Sequence, residues 1–196
     1  MTTKLVFIRH GITAWNKQGR YCGDKDVGLS RQGKVQVIKL LKSYKNISFD
    51  RVYCSDRKRA LQTRAILFGV RDFTKLKGLR EINFGVLEGL RHDQIMEKYP
   101  EAYKAWLADP YKGRIPHAEP MQIFRKRVRA TINKIVHDNR GKTLAVVCHG
   151  GVIAILASSI LKNRNFWHYV PSPASVTIVE YKNNKYGIDK FNRKVF

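Results

Sequence analysis

The sequence predicts an α/β fold: a mostly parallel, doubly wound sheet with helices on both faces, an antiparallel C-terminal edge, and a helical excursion at about residues 86–120 over one end of the sheet. Three observations predict it. Short apolar runs alternate with stretches of helical periodicity along most of the chain, the signature of a parallel sheet covered on both faces. Two strand-like segments near the end flank Asn183 and Asn184, residues that tolerate turn conformations, so a hairpin closes one edge. With 196 residues and 43% apolar content, the chain can bury one sizeable core, and one domain spanning 1–196 is expected.

Residues 3–9 read as a buried strand, and 31–45 as a helix on which Val35, Ile38, Leu41 and Tyr44 recur at helical spacing. "DRVYCS" (50–55) reads as the second strand and 57–68 as a helix with Leu61, Ala65 and Phe68 on one face. Residues 86–120, rich in proline, tyrosine and charge, fit the alternation least and form the excursion. Phe124, Val128, Ile132 and Ile135 mark the longest amphipathic helix, ended by Gly141; a strand at 143–148 and a helix from 152 follow. The apolar span 143–161 has about the length of a membrane helix. His149, Gly150 and Gly151 at its centre are costly in lipid and weaken a helix, so a buried strand, a tight turn and a buried helix explain the same letters. The sequence shows no internal repeat and no low-complexity segment.

The formal charge of +23, from 38 basic and 15 acidic residues, favours anionic partners such as phosphorylated metabolites, nucleic acid or acidic membrane surface. A solvated basic surface accounts for the same charge, because lysine and arginine are spread along the whole chain. No RNA-binding fingerprint, basic arm or stacked aromatic motif singles out nucleic acid. The three cysteines, Cys22, Cys54 and Cys148, form no C-x-x-C. They follow no signal-peptide pattern, which suggests a reduced, cytoplasmic protein. His10, His92, His117, His137, His149 and His168 lack metal-ligand spacing, so neither metal nor cofactor is expected. The oligomeric state, homo-oligomers included, is left open.

Ligands of open parallel sheets bind beyond the carboxyl ends of the strands. Arg9-His10-Gly11 and Cys148-His149-Gly150 both fall there, and a third strand end leads to Arg59 in the first turn of its helix. A strand ends in cations where an anion is held, and helix N-termini add backbone donors. Guanidinium groups match the oxygens of a phosphoryl group in bidentate fashion, making a small phosphate ester the expected guest. Cys148 closes an apolar strand and reads as a small buried residue and not as a nucleophile.

The motifs "RHGITAWN" (9–16), "DVGLSRQG" (26–33), "YCSDRKRALQT" (53–63), "LREINFGVLEGL" (79–90), "PHAEP" (116–120) with Arg127 downstream, and "VVCHGGVI" (146–153) resemble, in order and spacing, the histidine phosphatase superfamily over nearly the whole chain. "RYCGDKDVGLS", "LREINFG", "AWLADP" and "CHGGVI" are most similar to small phosphatases acting on α-ribazole 5′-phosphate and to their broad-specificity relatives. The resemblance implies a metal-independent phosphatase with His10 as nucleophile, forming a phosphohistidine. It implies that Arg9, Arg59 and His149 neutralise the phosphoryl oxygens, with Asn16, Gly11 and Gly150 as further phosphate contacts. Glu81 is implied as the acid that protonates the leaving alkoxide and then activates water; a surface ion pair with Arg80 is its alternative. Substrate contacts are expected from loops at 20–27, including Cys22 and Gly23, and at 84–120.

The sequence also departs from the family. Ile82 and Phe84 stand where mutases of the superfamily carry the arginine and tyrosine that grip phosphoglycerate, favouring phosphatase over phosphoglycerate mutase. "PHAEP" replaces the usual P-x-G-E-S, keeping Glu119, and Gly28 replaces a proline. Phosphoserine is an alternative substrate, and a nucleic-acid-binding protein using its basic surface is the alternative from another class. His92 lies where substrate contacts occur in the family, but reads more readily as an exposed polar residue.

Overall fold

The computed structural model describes residues 1–44, 47–163 and 165–194. One six-stranded sheet, ordered β3-β2-β4-β1-β5-β6, runs through them. Its strands are β1 (Thr3–Arg9), β2 (Arg51–Cys54), β3 (Thr74–Lys75), β4 (Thr143–Cys148), β5 (Val176–Lys182) and β6 (Lys185–Arg193). The first four pair in parallel; β5 is antiparallel to β1, and β6 to β5. Asn183 and Asn184 turn the β5–β6 hairpin with φ of 51° and 59°, the left-handed pair that such a two-residue turn requires. The sequence did not predict the two-residue strand β3, which is too short to carry a pattern.

The central strands are apolar on both faces because both faces are covered. Leu5 and Phe7 of β1, with Leu144 and Val146 of β4, meet α6 (Met121–His137) and α7 (Gly150–Ile160). Val6, Ile8, Ala145 and Val147 face the opposite core, with Leu40 of α2 (Arg31–Tyr44) and Ala60 of α3 (Lys58–Phe68). The excursion holds α4 (His92–Lys98) and α5 (Pro100–Ala108), with a core of its own around Leu87, Ile95, Tyr103 and Trp106. The remaining helix, α1 (Ala14–Lys17), is a single turn after the first strand end. Among the described residues no helix is long and apolar enough to cross a membrane.

Two predicted helix faces are right only in part. On α2 the buried positions are Gly33, Val37 and Leu40, while Val35 and Ile38 are about half exposed; the last predicted residue, Lys45, lies outside the described residues. Leu41 and Tyr44 are half-buried and belong to the true face as well as to the predicted one. That face is fixed by a backbone contact that no hydrophobic periodicity reports: a Cβ at Gly33 would lie 2.1 Å from the Ile12 carbonyl oxygen. On α3 Leu61 and Phe68 pack against the core as predicted, but Ala65 is exposed and the buried residues are Arg59, Ala60 and Thr63, because the helix turns a polar edge towards the strand ends. Two boundaries also move. α6 ends at His137, with Gly141 (φ 79°) in the turn beyond, and α7 begins at Gly150, directly after β4.

Gly33 therefore holds α2 against the segment that follows His10. Gly33→Ala should lower stability by about 1–3 kcal/mol, the cost of forcing a methyl into filled space, as read from the denaturant midpoint; an unchanged midpoint would show that the helix can slide away.

Candidate active site

The sheet register builds the centre of the site. Arg9 pairs with Cys148 at the last step of the β1–β4 ladder, so the next residue of each strand, His10 and His149, emerges side by side. The His10 N–H still donates to the Cys148 carbonyl (3.1 Å) and its carbonyl accepts from Ala174 (3.0 Å), which fixes the residue to the rigid sheet. The two imidazoles meet edge to face with centroids 5.2 Å apart, at 3% and 0% exposure. His10 Nδ1 lies 2.8 Å from the Gly11 carbonyl, which can only accept; Nδ1 thus carries the proton and Nε2 keeps its lone pair.

Arg59, from the first turn of α3, is 1% exposed. It donates to His149 Nδ1 (3.2 Å) and to the carbonyls of Lys25 (3.0 Å), Cys22 (3.4 Å) and Gly23 (2.8 Å). Arg9 donates to the Pro171 carbonyl, and its buried Nε has no protein acceptor. Neither guanidinium has a carboxylate within salt-bridge distance among the described residues. Burial first, then Arg59 and Arg9, hold the His10 imidazole well below its ordinary pKa, with the Gly11 hydrogen bond acting the other way. His149 is depressed likewise, by burial, then by Arg59, His10, Arg9 and Arg127. The pocket thus keeps both histidines neutral beside two cations.

Glu81 reaches the same place from the loop after β3. Its carboxylate accepts from the Gly151 N–H (2.9 Å), in the first turn of α7, and from its own neighbour Ile82 (3.0 Å). A side chain at 151 would put its Cβ 2.2 Å from Glu81 Oε1, so the second glycine of "CHGG" makes room for the acid. The alternative pairing with Arg80 does not occur, because Arg80 grips Asp56 in bidentate fashion (2.7 and 2.5 Å). Asn16 Oδ1 is taken by the N–H and hydroxyl of Thr13 (both 3.0 Å) in a capping box, leaving its amide donors for another group.

Other predicted contacts act through their backbone. Gly11 donates its N–H to Thr63 Oγ1 (3.2 Å) and gives its carbonyl to His10, so it positions the imidazole. Cys22 and Gly23 supply carbonyls to Arg59, while the Cys22 thiol turns to the Lys25 carbonyl (3.7 Å). Gly150 opens α7 against Arg9, whose Cζ lies 3.1 Å from where a Cβ would stand. His92 is exposed and meets the Tyr103 hydroxyl (3.2 Å). Cys148 is fully buried, and that burial pushes its thiol well above the ordinary value. Among the described residues, no three His, Cys, Asp or Glu side chains converge as a metal site would require.

Three residues inside the quoted motifs had no role assigned from sequence. Ser55 Oγ lies 2.8 Å from His149 Nε2 and holds the ring in place. Glu88 accepts from the N–H groups of Gly23, Asp24, Lys25 and Phe84 (2.8–3.5 Å), shaping the loop that receives Arg59. Arg127 uses all five of its donors: two on Glu119 (2.6 and 2.7 Å) and one each on the carbonyls of Gly78, Arg80 and Glu81 (2.8–3.1 Å). The altered "PHAEP" loop therefore keeps a definite task, which is to present Glu119 to the arginine that clamps the Glu81 segment. Only their position inside motifs could have singled these three out.

Known proteins share this architecture. The profile of the histidine phosphatase superfamily (branch 1) matches residues 5–194. Phosphoserine phosphatase 1 of Hydrogenobacter thermophilus is 28% identical over 96% of this chain and 92% of its own. The adenosylcobalamin/alpha-ribazole phosphatase of Salmonella typhimurium is 30% identical over 85% of this chain and 84% of its own. The crystal structure of the alpha-ribazole phosphatase from Shigella flexneri superposes with a TM-score of 0.87 at 26% identity, covering 97% of this chain and 96% of that one.

The depressed histidines carry a stability consequence. Between their folded pKa values and the unfolded value of about 6.5, the unfolded chain binds more protons, so this stability is complete above that pH and is lost as pH falls below it. The melting temperature should drop between pH 7 and pH 5, and less so in a His10→Gln/His149→Gln variant; equal drops would assign the effect to other groups. For the clamp, Arg127→Lys offers three donors in place of five. It should cost about 1–3 kcal/mol for carbonyls left unpaired and slow turnover, measured by denaturant unfolding and by hydrolysis of 4-nitrophenyl phosphate.

Proposed function

Because this chain belongs to the histidine phosphatase superfamily, we propose that it is a cytoplasmic phosphomonoesterase, one catalytic domain over 1–196, hydrolysing small phosphorylated metabolites through a phosphohistidine on His10. The observation that carries this reading is the pair of neutral histidines set against the buried Arg59 and the half-buried Arg9, neither of which has a carboxylate partner among the described residues. A phosphoryl dianion supplies the missing negative charge. His10 Nε2, unprotonated because Nδ1 is bound to Gly11, attacks phosphorus as the ester bond breaks. Arg9, Arg59 and the Asn16 amide bind the oxygens on which charge accumulates. His149 donates to the same oxygens once Arg59 Nε leaves its Nδ1 for the phosphate and that nitrogen takes the proton, with the Ser55 hydroxyl then donating to Nε2.

Glu81 gives its proton to the leaving oxygen. Water then attacks the phosphohistidine and returns a proton to Glu81, releasing inorganic phosphate and free His10. Transfer back to phosphoglycerate lacks support: Ile82 is buried in the core at 2% exposure, and neither it nor Phe84 brings a cation for a carboxylate. The likeness of "RYCGDKDVGLS" and "CHGGVI" to phosphatases acting on α-ribazole 5′-phosphate ranks that ester ahead of phosphoserine.

His10→Ala should abolish turnover and the acid-labile phosphoenzyme trapped by denaturation. Glu81→Gln should slow alkyl phosphates by ~10²–10⁴ while sparing 4-nitrophenyl phosphate, whose leaving group needs little proton assistance. Equal losses on both esters would remove Glu81 from the acid role, and 2-phosphoglycerate formed from 3-phosphoglycerate faster than phosphate would make the enzyme a mutase.

A further inference from the structure

Away from the strand ends, α6, α7 and the β5–β6 hairpin enclose a groove of about 800 Å³, within the size range of small-molecule sites. It continues into a second hollow of about 590 Å³ that shares Arg125, Arg129 and Lys162. The floor is apolar, formed by Ile132, Val136 and Ile155. Arg125, Arg129, Arg140, Lys162 and Lys185 stand around it, and among the described residues none of the five has a carboxylate partner. No aspartate or glutamate lines the larger hollow, and the one that lines the smaller, Asp109, lies 4.0 Å from Lys112. An apolar floor under unpaired cations suits an anion with an apolar body.

The two ends differ. At the hairpin end Tyr181 and Tyr186 pack ring to ring (centroids 4.8 Å apart), and the Arg140 guanidinium lies over Tyr181 at 5.5 Å. The Tyr186 hydroxyl donates to Asn133 Oδ1 (2.8 Å), tying the aromatic wall to α6. A planar base can stack on such a wall and on the guanidinium plane. At the other end Arg125 and Arg129, one turn apart on α6, converge with Lys162 beyond α7. Helical rise separates the two ends by roughly 20 Å, since Arg125 and Arg140 are 15 positions apart along and just past the helix. An aromatic end and a cationic end on one apolar floor match a nucleoside polyphosphate laid lengthwise. A nucleic-acid strand, which offers base and phosphate at every step, would call for both along the whole groove.

We propose that this groove is a second ligand site, separate from the catalytic pocket, that binds a nucleoside di- or triphosphate with its base on the Tyr181–Tyr186 wall and its phosphates on Arg125, Arg129 and Lys162. Calorimetric titration of the full chain with the β,γ-methylene analogue of ATP tests it, with orthovanadate present at a concentration that abolishes 4-nitrophenyl phosphate hydrolysis. One-to-one binding should persist under vanadate and weaken at least about tenfold in Arg129→Glu/Arg140→Glu, the effect of losing charge-assisted contacts. The variant's hydrolysis of 4-nitrophenyl phosphate, assayed without vanadate, should stay within about twofold of the parent. Lys162→Glu, on a separate element, should weaken binding in the same direction with an unchanged melting temperature. Tripolyphosphate alone should bind at least about tenfold more weakly than the analogue. Displacement by vanadate, unchanged binding in both variants, equal affinity for tripolyphosphate, or tighter binding of a single-stranded oligonucleotide would each overturn the proposal.

Discussion

Arg59 is the constraint on which the rest of the site depends: a guanidinium at 1% exposure that pairs with no carboxylate among the described residues. A buried cation is tolerated only when its donors are satisfied, and here backbone carbonyls and one imidazole satisfy them without neutralising it. With Arg9 nearby, the pocket carries net positive charge that the protein itself does not cancel. The histidines respond by staying neutral, since protonating either would add a third charge to a dry site. The same arrangement that makes the empty pocket costly makes a dianion favourable there, and it leaves His10 with the unprotonated nitrogen a nucleophile needs.

Such a pocket must be held open by groups that do not themselves neutralise it. Glu88, Arg127 and Ser30 do this from outside. Each gathers backbone groups from irregular segments of the chain. Glu88 collects four amides of the loop whose carbonyls face Arg59. Arg127, already neutralised by Glu119, collects three carbonyls of the Glu81 segment. Ser30 donates to the Ile12 carbonyl (3.0 Å) and accepts from the Gly33 N–H (3.0 Å), bracing the turn after His10 against the start of α2. Glu119 matches the Arg127 charge, backbone amides hold Glu88, and Ser30 is uncharged, so none of the three cancels the cations at the strand ends.

Which features were legible in the sequence follows from how local their cause is. The strand-end histidines could be read because strand, histidine and glycine are consecutive letters, and the hairpin because Asn183 and Asn184 carry their own turn preference. The family resemblance located Glu81 and Arg59 but could not say that Gly151 receives the acid or that Arg80 belongs to Asp56. The α2 face was misread because Val35 and Ile38 share helical spacing with Leu41 and Tyr44, as Val37 and Leu40 do, and the close contact of Gly33 on Ile12 that accompanies the second set has no hydrophobic signature. Ser55, Glu88 and Arg127 escaped for a related reason. Their partners lie tens of residues away or are backbone groups, which leave no mark in composition or periodicity.

The charge of +23 acts at two ranges. Exposed lysines and arginines are screened beyond about 8 Å at physiological ionic strength. They raise the local concentration of anions without choosing among them. Arg59 and the buried Nε of Arg9 lie where solvent and salt do little screening, and the donor directions of the two guanidinium groups are set by the sheet, α3 and the 22–25 loop. Selection among anions therefore belongs to the fixed geometry of a few buried groups, and the rate of encounter to the many exposed ones. A basic surface with no sequence pattern and a pocket with a strict one are thus separate parts of one electrostatic arrangement.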